Sequence, residues 1–228
     1  SAASDVYKRQ LGDHRMIIDR KEALRYMGLG RNTPDERTLD MMEECIREAE
    51  KVMQPRNVHR RFTLKVDEND NISAGGLTFH SKNLAKNLTG CGEIIFFAAT
   101  LGNGVDMLMN RYNKLSIAKA AVLQGVGAAA IEAYCNECQK ALEEELKAEG
   151  LFLRPRFSPG YGDLPLTIQK EFLDVLAAYK TVGIILSDGG VMLPEKSVTA
   201  VLGISSENSR CHIEGCEICG KKDCAYRR

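Results

Sequence analysis

The sequence predicts a single α+β domain with a twisted, mainly antiparallel sheet, a long helix and a helical N-terminal segment. Helical apolar periodicity runs through residues 33–53 and 116–147, whereas strand-like runs occupy residues 60–66, 93–100 and 197–204. These strands do not alternate regularly with helices. Because a parallel sheet needs a crossover, usually helical, between successive strands, the irregular order favours antiparallel pairing.

The composition is typical of a globular protein without a strongly charged partner. The 228 residues include 31 basic and 31 acidic side chains, so the formal net charge is zero and no basic face for nucleic acid is indicated. The longest apolar runs are too short to span a bilayer, and no charged-then-apolar leader opens the chain. We therefore expect a cytoplasmic protein, and we set residues 1–12 aside as flanking sequence because they carry no periodic pattern.

Capping residues indicate where the first helices begin. Residues 19–26 predict a short helix that the glycines at 28 and 30 end. In Thr33-Pro34-Asp35-Glu36 we predict Thr33 as the N-cap, the proline at the first helical position and Glu36 as a capping-box partner. Apolar side chains then recur at spacings of three and four, which predicts one buried helical face. The residues of this face are Leu39, Met42, Ile46, Ala49 and Met53.

Periodicity and length predict the remaining elements. Alternation over residues 60–66 indicates a strand with Phe62, Leu64 and Val66 on one face. The other apolar segments are assigned by the same two criteria. The sequence predicts helices over residues 81–88, 102–112, 116–147 and 166–179, and strands over 93–100, 181–186 and 197–204.

The segment Arg154–Asp163, RPRFSPGYGD, has the most unusual composition in the chain. Its two prolines fix backbone angles, and its two glycines permit positive φ or close backbone approach. Arg156 offers a planar fork suited to a carboxylate, and Tyr161 offers an aromatic face with a hydroxyl. The segment is therefore either a cradle for a small molecule or a rigid connector between helices. We expect Arg154 and Gly162 to serve its shape and solvation.

Two further motifs have structural explanations. Residues 125–130, GVGAAA, match a dinucleotide fingerprint, but helix-forming residues precede them where the fingerprint requires a strand. We interpret these small residues as a close helix contact. Cys135 and Cys138 would share one face of a helix, and a buried, unreactive pair is favoured over a metal site.

The C-terminal residues contain a group of four cysteines within fourteen positions. Four thiolates at this spacing can close a tetrahedral zinc site or hold an iron–sulfur cluster, and the spacing does not decide between them. Because uncommitted thiols in a short polar tail would be reactive, metal ligation is the preferred interpretation. The predicted ligands are Cys211, Cys216, Cys219 and Cys224.

Arg156-x3-Gly160-Tyr161 resembles the RxxxGY signature of the AdoMet-binding activation domain of cobalamin-dependent methionine synthase. The run FFAATLG, the helix pair after it, Glu132-Ala133 and the segment VMLPEKSVTAVLGIS are similar to that family in order and spacing. The resemblance covers residues 90–205 well and the N-terminal third loosely. It implies a stand-alone domain of this kind over residues 13–206, followed by a cysteine-rich tail over 207–228 that the multidomain enzymes lack.

The resemblance also implies a set of ligand contacts. Arg156 would pair with the methionine carboxylate of S-adenosyl-L-methionine (AdoMet), and the backbone of Gly160 and Tyr161 would approach the ligand closely. Glu132 matches a family acidic residue near the cationic ligand, where a carboxylate suits a sulfonium and an amino group. The predicted AdoMet-binding residues are Arg156, Ser158, Pro159, Gly160, Tyr161 and Glu132.

The function implied by the resemblance is reductive reactivation of a methionine synthase or a related corrinoid methyltransferase. In that scheme, inert cob(II)alamin on a partner protein is reduced by one electron and remethylated from AdoMet. No acid or base is required of this chain, which agrees with the lack of P-loop, HExxH, GxSxG and paired-carboxylate motifs. Since the chain is too short to contain the other modules of the enzyme, we expect it to act in trans.

The implied partners are a cobalamin-binding protein and an electron donor such as flavodoxin or ferredoxin. Two alternatives depend on the cysteine-rich tail rather than on the loop. One is an iron–sulfur electron-transfer module that acts on corrinoid proteins, and the other is an interaction protein stabilised by zinc.

Overall fold

The computed structural model describes residues 17–29 and 33–207, and the backbone of residues 7–9. The cysteines of the C-terminal tail lie outside the described residues. The strands are β1 (Tyr7–Arg9), β2 (Arg56–Thr63), β3 (Lys65–Val66), β4 (Asn71–Ala74), β5 (Leu77–His80), β6 (Cys91–Thr100), β7 (Phe152–Leu153), β8 (Ile185–Leu186), β9 (Met192–Leu193) and β10 (Ser197–Ser205). The helices are α1 (Arg20–Tyr26), α2 (Glu36–Val52), α3 (Lys82–Asn87), α4 (Asn103–Leu115), α5 (Ile117–Ala148), α6 (Gln169–Val175) and α7 (Ala178–Thr181), with a 3-10 turn at Leu166–Ile168.

An antiparallel sheet of strand order β1-β2-β6-β10-β7 lies at the centre of the described part of the chain. β10 pairs along one edge of β6, with Val201 opposite Phe96, and β2 pairs along the other edge, with Arg60 opposite Phe96. Each strand pair in this sheet is antiparallel. The predicted α+β class is thus confirmed. Tyr7–Arg9, inside the segment set aside as flanking sequence, form an edge strand beside β2.

The two faces of this sheet bury two separate apolar clusters. Phe97 of β6 packs in a cluster formed with α1, α2, α4 and α5, whereas its neighbour Phe96 packs in a cluster formed with α3, β4, β5 and α6. Successive side chains of a strand point to opposite faces, which explains this division. Phe96 also stacks on Phe172 of α6, with ring centroids 4.6 Å apart. Because β6 is buried on both faces, it has a continuous apolar sequence.

The long helix α5 is placed by its small residues. It packs against α1, α2 and α4, and two of its glycines lie at very close contacts. A Cβ at Gly125 would lie 2.5 Å from Met27 Cγ, and a Cβ at Gly127 would lie 2.8 Å from Lys196 Cε. Both glycines are inside the helix, so the interpretation of residues 125–130 as a close helix contact is confirmed.

Two smaller antiparallel units were not predicted. β3, β4 and β5 form a small sheet, and β8 and β9 form a hairpin. The predicted strand over residues 60–66 is divided, because β2 ends at Thr63 and the chain then enters the small sheet. Leu64 is buried and Val66 is 41% exposed, so the predicted single strand with both side chains on one face is not formed.

The start of α2 also differs from the prediction. Asp35, rather than Thr33, is the N-cap, and its Oδ1 accepts a hydrogen bond from the Thr38 amide at 2.8 Å. Leu39 lies in the first turn and is 38% exposed, so it is not part of the buried face. The helices predicted at residues 19–26, 81–88, 102–112 and 116–147 and the strands at 93–100 and 197–204 are confirmed, with small shifts at their ends.

The segment predicted as one helix over residues 166–179 is interrupted. Ala177 has φ +49°, and this left-handed residue separates α6 from α7. The strand predicted over residues 181–186 is reduced to Ile185–Leu186, because α7 ends only at Thr181. In the described part of the chain, no helix combines the length and the apolar character needed to cross a bilayer.

Candidate functional site

The loop that contains Arg156 begins as an extension of the central sheet. Phe157 and Val201 exchange two backbone hydrogen bonds, with N···O distances of 2.9 and 2.8 Å. Neighbouring side chains in extended backbone point in opposite directions. Phe157 therefore enters the cluster around Phe96, and Arg156 points to the other face of the sheet, towards α5.

Arg156 is held by two side chains of α5. Its Nη2 donates to Glu132 Oε2 at 3.0 Å and to Asn136 Oδ1 at 2.8 Å. Only 16% of the Arg156 side chain is exposed, against 32% for Glu132, so the ion pair is partly removed from water. Arg156 Nη1 is buried and has no hydrogen-bond partner among the described residues. We call Arg156, Glu132 and Asn136 the Arg156 site.

Helix α1 adds an aromatic side chain next to this site. Burial, and then the nearby Glu132 carboxylate, raise the pKa of Tyr26. The guanidinium of Arg25 lies over the Tyr26 ring, 4.4 Å from its centroid. α1 is held against α5 at Gly125, so the small residue there allows Tyr26 to approach Glu132.

The residues after Arg156 form a tight turn. The Tyr161 amide donates to the Ser158 carbonyl at 3.0 Å, which places Pro159 and Gly160 at the two central positions. Gly160 has φ +85°, and the third residue of a type II turn requires such an angle, while proline suits the second. The Tyr161 ring packs edge-on against Phe157, with centroids 5.2 Å apart. Turn geometry thus accounts for Pro159 and Gly160.

Asp163 fixes the end of this loop to the start of α3. Its carboxylate accepts hydrogen bonds from the Ser81 hydroxyl and from the Lys82 amide, the latter at 2.8 Å. Ser81 itself caps α3 by accepting from the Leu84 amide at 3.1 Å. The two side chains therefore form one capping arrangement that joins the loop to the helix.

We expect Asp163→Asn to lower the free energy of unfolding by about 1 kcal/mol near neutral pH, as for loss of a capping carboxylate. Burial raises the pKa of Asp163, but the hydrogen bonds from Ser81, Asn83 and Lys82 outweigh it and hold this pKa below its usual value. Because the folded-state pKa is depressed, the stabilisation is present above the unfolded-chain pKa and is lost as the pH falls through the folded-state pKa.

Denaturant unfolding of wild type and Asp163→Asn at pH 6 and pH 3 would measure this effect. The difference in free energy of unfolding between wild type and Asp163→Asn should be smaller at pH 3 than at pH 6. Asp188→Asn, which changes an exposed aspartate in the β8–β9 hairpin, is the matched control and should alter stability little. A pH-independent difference for Asp163→Asn would contradict the capping role.

Arg154 serves the shape of the loop but not its solvation. It is 6% exposed, and its Nη2 donates to the Thr89 carbonyl at 3.1 Å. Gly162 is also a structural position, because its φ is +57° and a Cβ would lie 2.8 Å from Asn83 Nδ2. The expectation that Arg154 is solvated is therefore wrong.

The structure joins some of the predicted ligand residues and adds others. It brings Arg156 and Glu132 into direct contact, while Ser158 and Tyr161 form the turn two residues beyond Arg156. Asn136 was not predicted, although it follows Glu132 by four positions and therefore lies on the same helical face. A surface cavity of about 700 Å³ lies elsewhere, between α6–α7 and the β8–β9 hairpin, and contains none of the predicted residues.

The helical cysteines have no visible role in metal binding. Cys135 and Cys138 are buried and form no disulfide, and burial raises the pKa of the Cys135 thiol, which keeps it protonated. Over residues 17–29 and 33–207, no group of three or more His, Cys, Asp or Glu side chains is arranged to hold a metal ion. The predicted cluster of Cys211, Cys216, Cys219 and Cys224 lies beyond these ranges and stays a prediction.

Comparison with known proteins places the fold. No protein-family model matches the sequence, and no curated protein is similar to it. Among solved structures, the chain is similar to the MetH reactivation domain bound to AdoHcy, with a TM-score of 0.59 and 18% identity. The match covers 90% of this chain and 80% of that one. The α+β architecture with its long helix is therefore the fold of that reactivation domain, as the sequence resemblance implied.

Proposed function

We propose that this chain binds AdoMet at the Arg156 site and the adjoining Ser158–Tyr161 turn, and serves the reductive remethylation of cobalamin on a partner protein. The partner would be a methionine synthase or a related corrinoid methyltransferase, and a flavodoxin- or ferredoxin-like protein would supply the electron. The cobalamin belongs to the partner. Support for the ligand class comes from the shared fold with a reactivation domain whose structure holds AdoHcy.

The observation that carries the proposal is the unused donor capacity of Arg156. Its Nη2 is engaged by Glu132 and Asn136, but Nη1 is buried without an acceptor among the described residues. A buried donor left unsatisfied costs about 1–3 kcal/mol, so an incoming acceptor is favoured. A carboxylate would provide it through a charge-assisted hydrogen bond. The site therefore fits the amino-acid end of AdoMet, with the carboxylate at Arg156 and the ammonium group beside Glu132.

AdoMet supplies a methyl group on a positively charged sulfur. The chain's own residues would bind and orient it, because transfer of a methyl group moves no proton and needs no acid or base. Glu132 is 32% exposed, so its negative charge is only partly screened by water and can stabilise a bound cation. Arg156 holds that carboxylate by a hydrogen bond, and Asn136 accepts a second one from the same Arg156 nitrogen.

Calorimetric titration of the purified chain with AdoHcy tests the proposal. AdoHcy carries the same amino-acid and nucleoside groups as AdoMet and is chemically more stable. We expect saturable binding at one site per chain, and much weaker binding of 5′-methylthioadenosine, which lacks the amino-acid end. If wild-type protein does not bind AdoHcy, the proposed function is wrong.

A further inference from the structure

Lys196 is a buried lysine that lies directly before β10. It is 6% exposed, and the only described hydrogen bond of its side chain runs from Nζ to Gln124 Oε1 at 2.6 Å. Lysine is almost never fully buried unless it is paired with an acid, yet this partner is a neutral amide. Burial lowers the pKa of Lys196, against the opposing effect of the Glu195 and Asp106 carboxylates. An ammonium group with unused donors in such a place requires an explanation.

Lys196 lies on the same side of the sheet as Arg156. Ala200 and Leu202 of β10 belong to the cluster that faces α5, and strand alternation puts Lys196 on that face too. The lysine stem crosses α5 at Gly127, where a Cβ would lie 2.8 Å from Lys196 Cε. Any larger residue at position 127 would displace the stem, so this glycine allows the ammonium group to reach Gln124.

The two cations contact one strip of α5. Arg156 contacts Glu132, and Lys196 contacts Gln124, eight residues earlier. At the rise of an α-helix, eight residues correspond to about 12 Å. Ala128 lies midway between them, one turn from each, and is only partly buried. The strip therefore has a polar anchor at each end and a small side chain in the middle.

We propose that Lys196 is a second anchor for the ligand held at Arg156. Its ammonium group would donate to an acceptor on the nucleoside half, a ribose hydroxyl oxygen or a ring nitrogen. An amino-acid chain joined through sulfur to a ribose and a purine extends over a distance comparable with that between the two anchors. This inference rests on the proposed function, since it assumes that the amino-acid half binds at Arg156.

The test is calorimetric titration of AdoHcy into wild type, Lys196→Met and Lys196→Gln. Methionine preserves the length and apolar packing of the stem, and glutamine preserves a hydrogen-bonding end without charge. A hydrogen bond from a buried charged donor corresponds to about a 10- to 100-fold loss of affinity when it is removed. We expect a loss of this size for Lys196→Met, and Lys170→Met, at an exposed lysine of α6, should bind as wild type does.

Thermal unfolding distinguishes a binding role from a structural one. Because burying a charge without an ion-pair partner is costly, and methionine removes that cost while keeping the stem, the Tm of Lys196→Met should equal or exceed that of wild type. AdoHcy affinity within twofold of wild type in both variants would overturn the Lys196 inference while leaving the proposed function intact. If Lys196→Met does not fold, Lys196→Gln decides by the same criterion. Failure of wild type to bind AdoHcy would instead reject the proposed function.

Discussion

Replacing Arg156 by alanine is expected to weaken AdoMet binding by about 2–4 kcal/mol, roughly 30- to 1000-fold in Kd. The substitution removes the donor that would meet the ligand carboxylate. It also frees Glu132 and Asn136 from the guanidinium that holds them at 3.0 and 2.8 Å. One change then affects the proposed contacts to both the carboxylate and the ammonium group of the ligand. The loss of affinity should therefore exceed that caused by any other substitution in the loop.

Arg156→Lys separates charge from shape. Lysine keeps the positive charge but lacks the planar fork, so it cannot engage α5 and a ligand carboxylate with the same geometry. We expect an affinity between those of wild type and Arg156→Ala. Arg111→Ala, at an exposed arginine of α4, is the matched control for the loss of one positive charge. Equal AdoHcy affinity for Arg156→Ala and Arg111→Ala would show that Arg156 does not bind the ligand.

The sequence predicts those parts of the fold in which one local pattern determines the structure. Residues 117–148 form α5 because helical periodicity and the Ser116 cap agree over many turns, and residues 91–100 form β6 because the run is apolar and β-branched. Predictions fail where competing local signals are nearly equal. Thr33 and Asp35 are both good caps, and in the structure it is Asp35 whose carboxylate accepts from the Thr38 amide.

The sequence predicts only those residues of the candidate site that lie in the Arg154–Asp163 loop or that match the family it resembles. Arg156 and Glu132 are 24 positions apart, and their contact depends on the bridge between Phe157 and Val201, which no local pattern indicates. One sequence feature does distinguish Lys196. It directly precedes β10 and continues the alternation of that strand's inward-facing positions, which are otherwise apolar, so a charge there breaks the pattern.

Gly104→Ala is expected to destabilise the protein by about 3 kcal/mol, although helix propensity alone favours alanine over glycine by about 1 kcal/mol. A Cβ at Gly104 would lie 2.1 Å from the Val52 carbonyl oxygen and 2.8 Å from its carbon. Both atoms belong to the backbone at the end of α2 and cannot rotate away. The whole N-terminus of α4 would have to move. The free-energy cost of this overpacking exceeds the gain in helix propensity from glycine to alanine.

The displacement should reach the proposed ligand site through Asp106. This residue of α4 accepts a hydrogen bond from the Glu195 amide at 2.7 Å, directly before Lys196. Denaturant unfolding of Gly104→Ala and of Gly92→Ala, where a Cβ would meet nothing within 4 Å, compares a blocked position with an open one. Equal stability of the two variants would contradict the packing argument. If Lys196 anchors the ligand, Gly104→Ala should also bind AdoHcy more weakly under conditions where it remains folded, whereas Gly92→Ala should not.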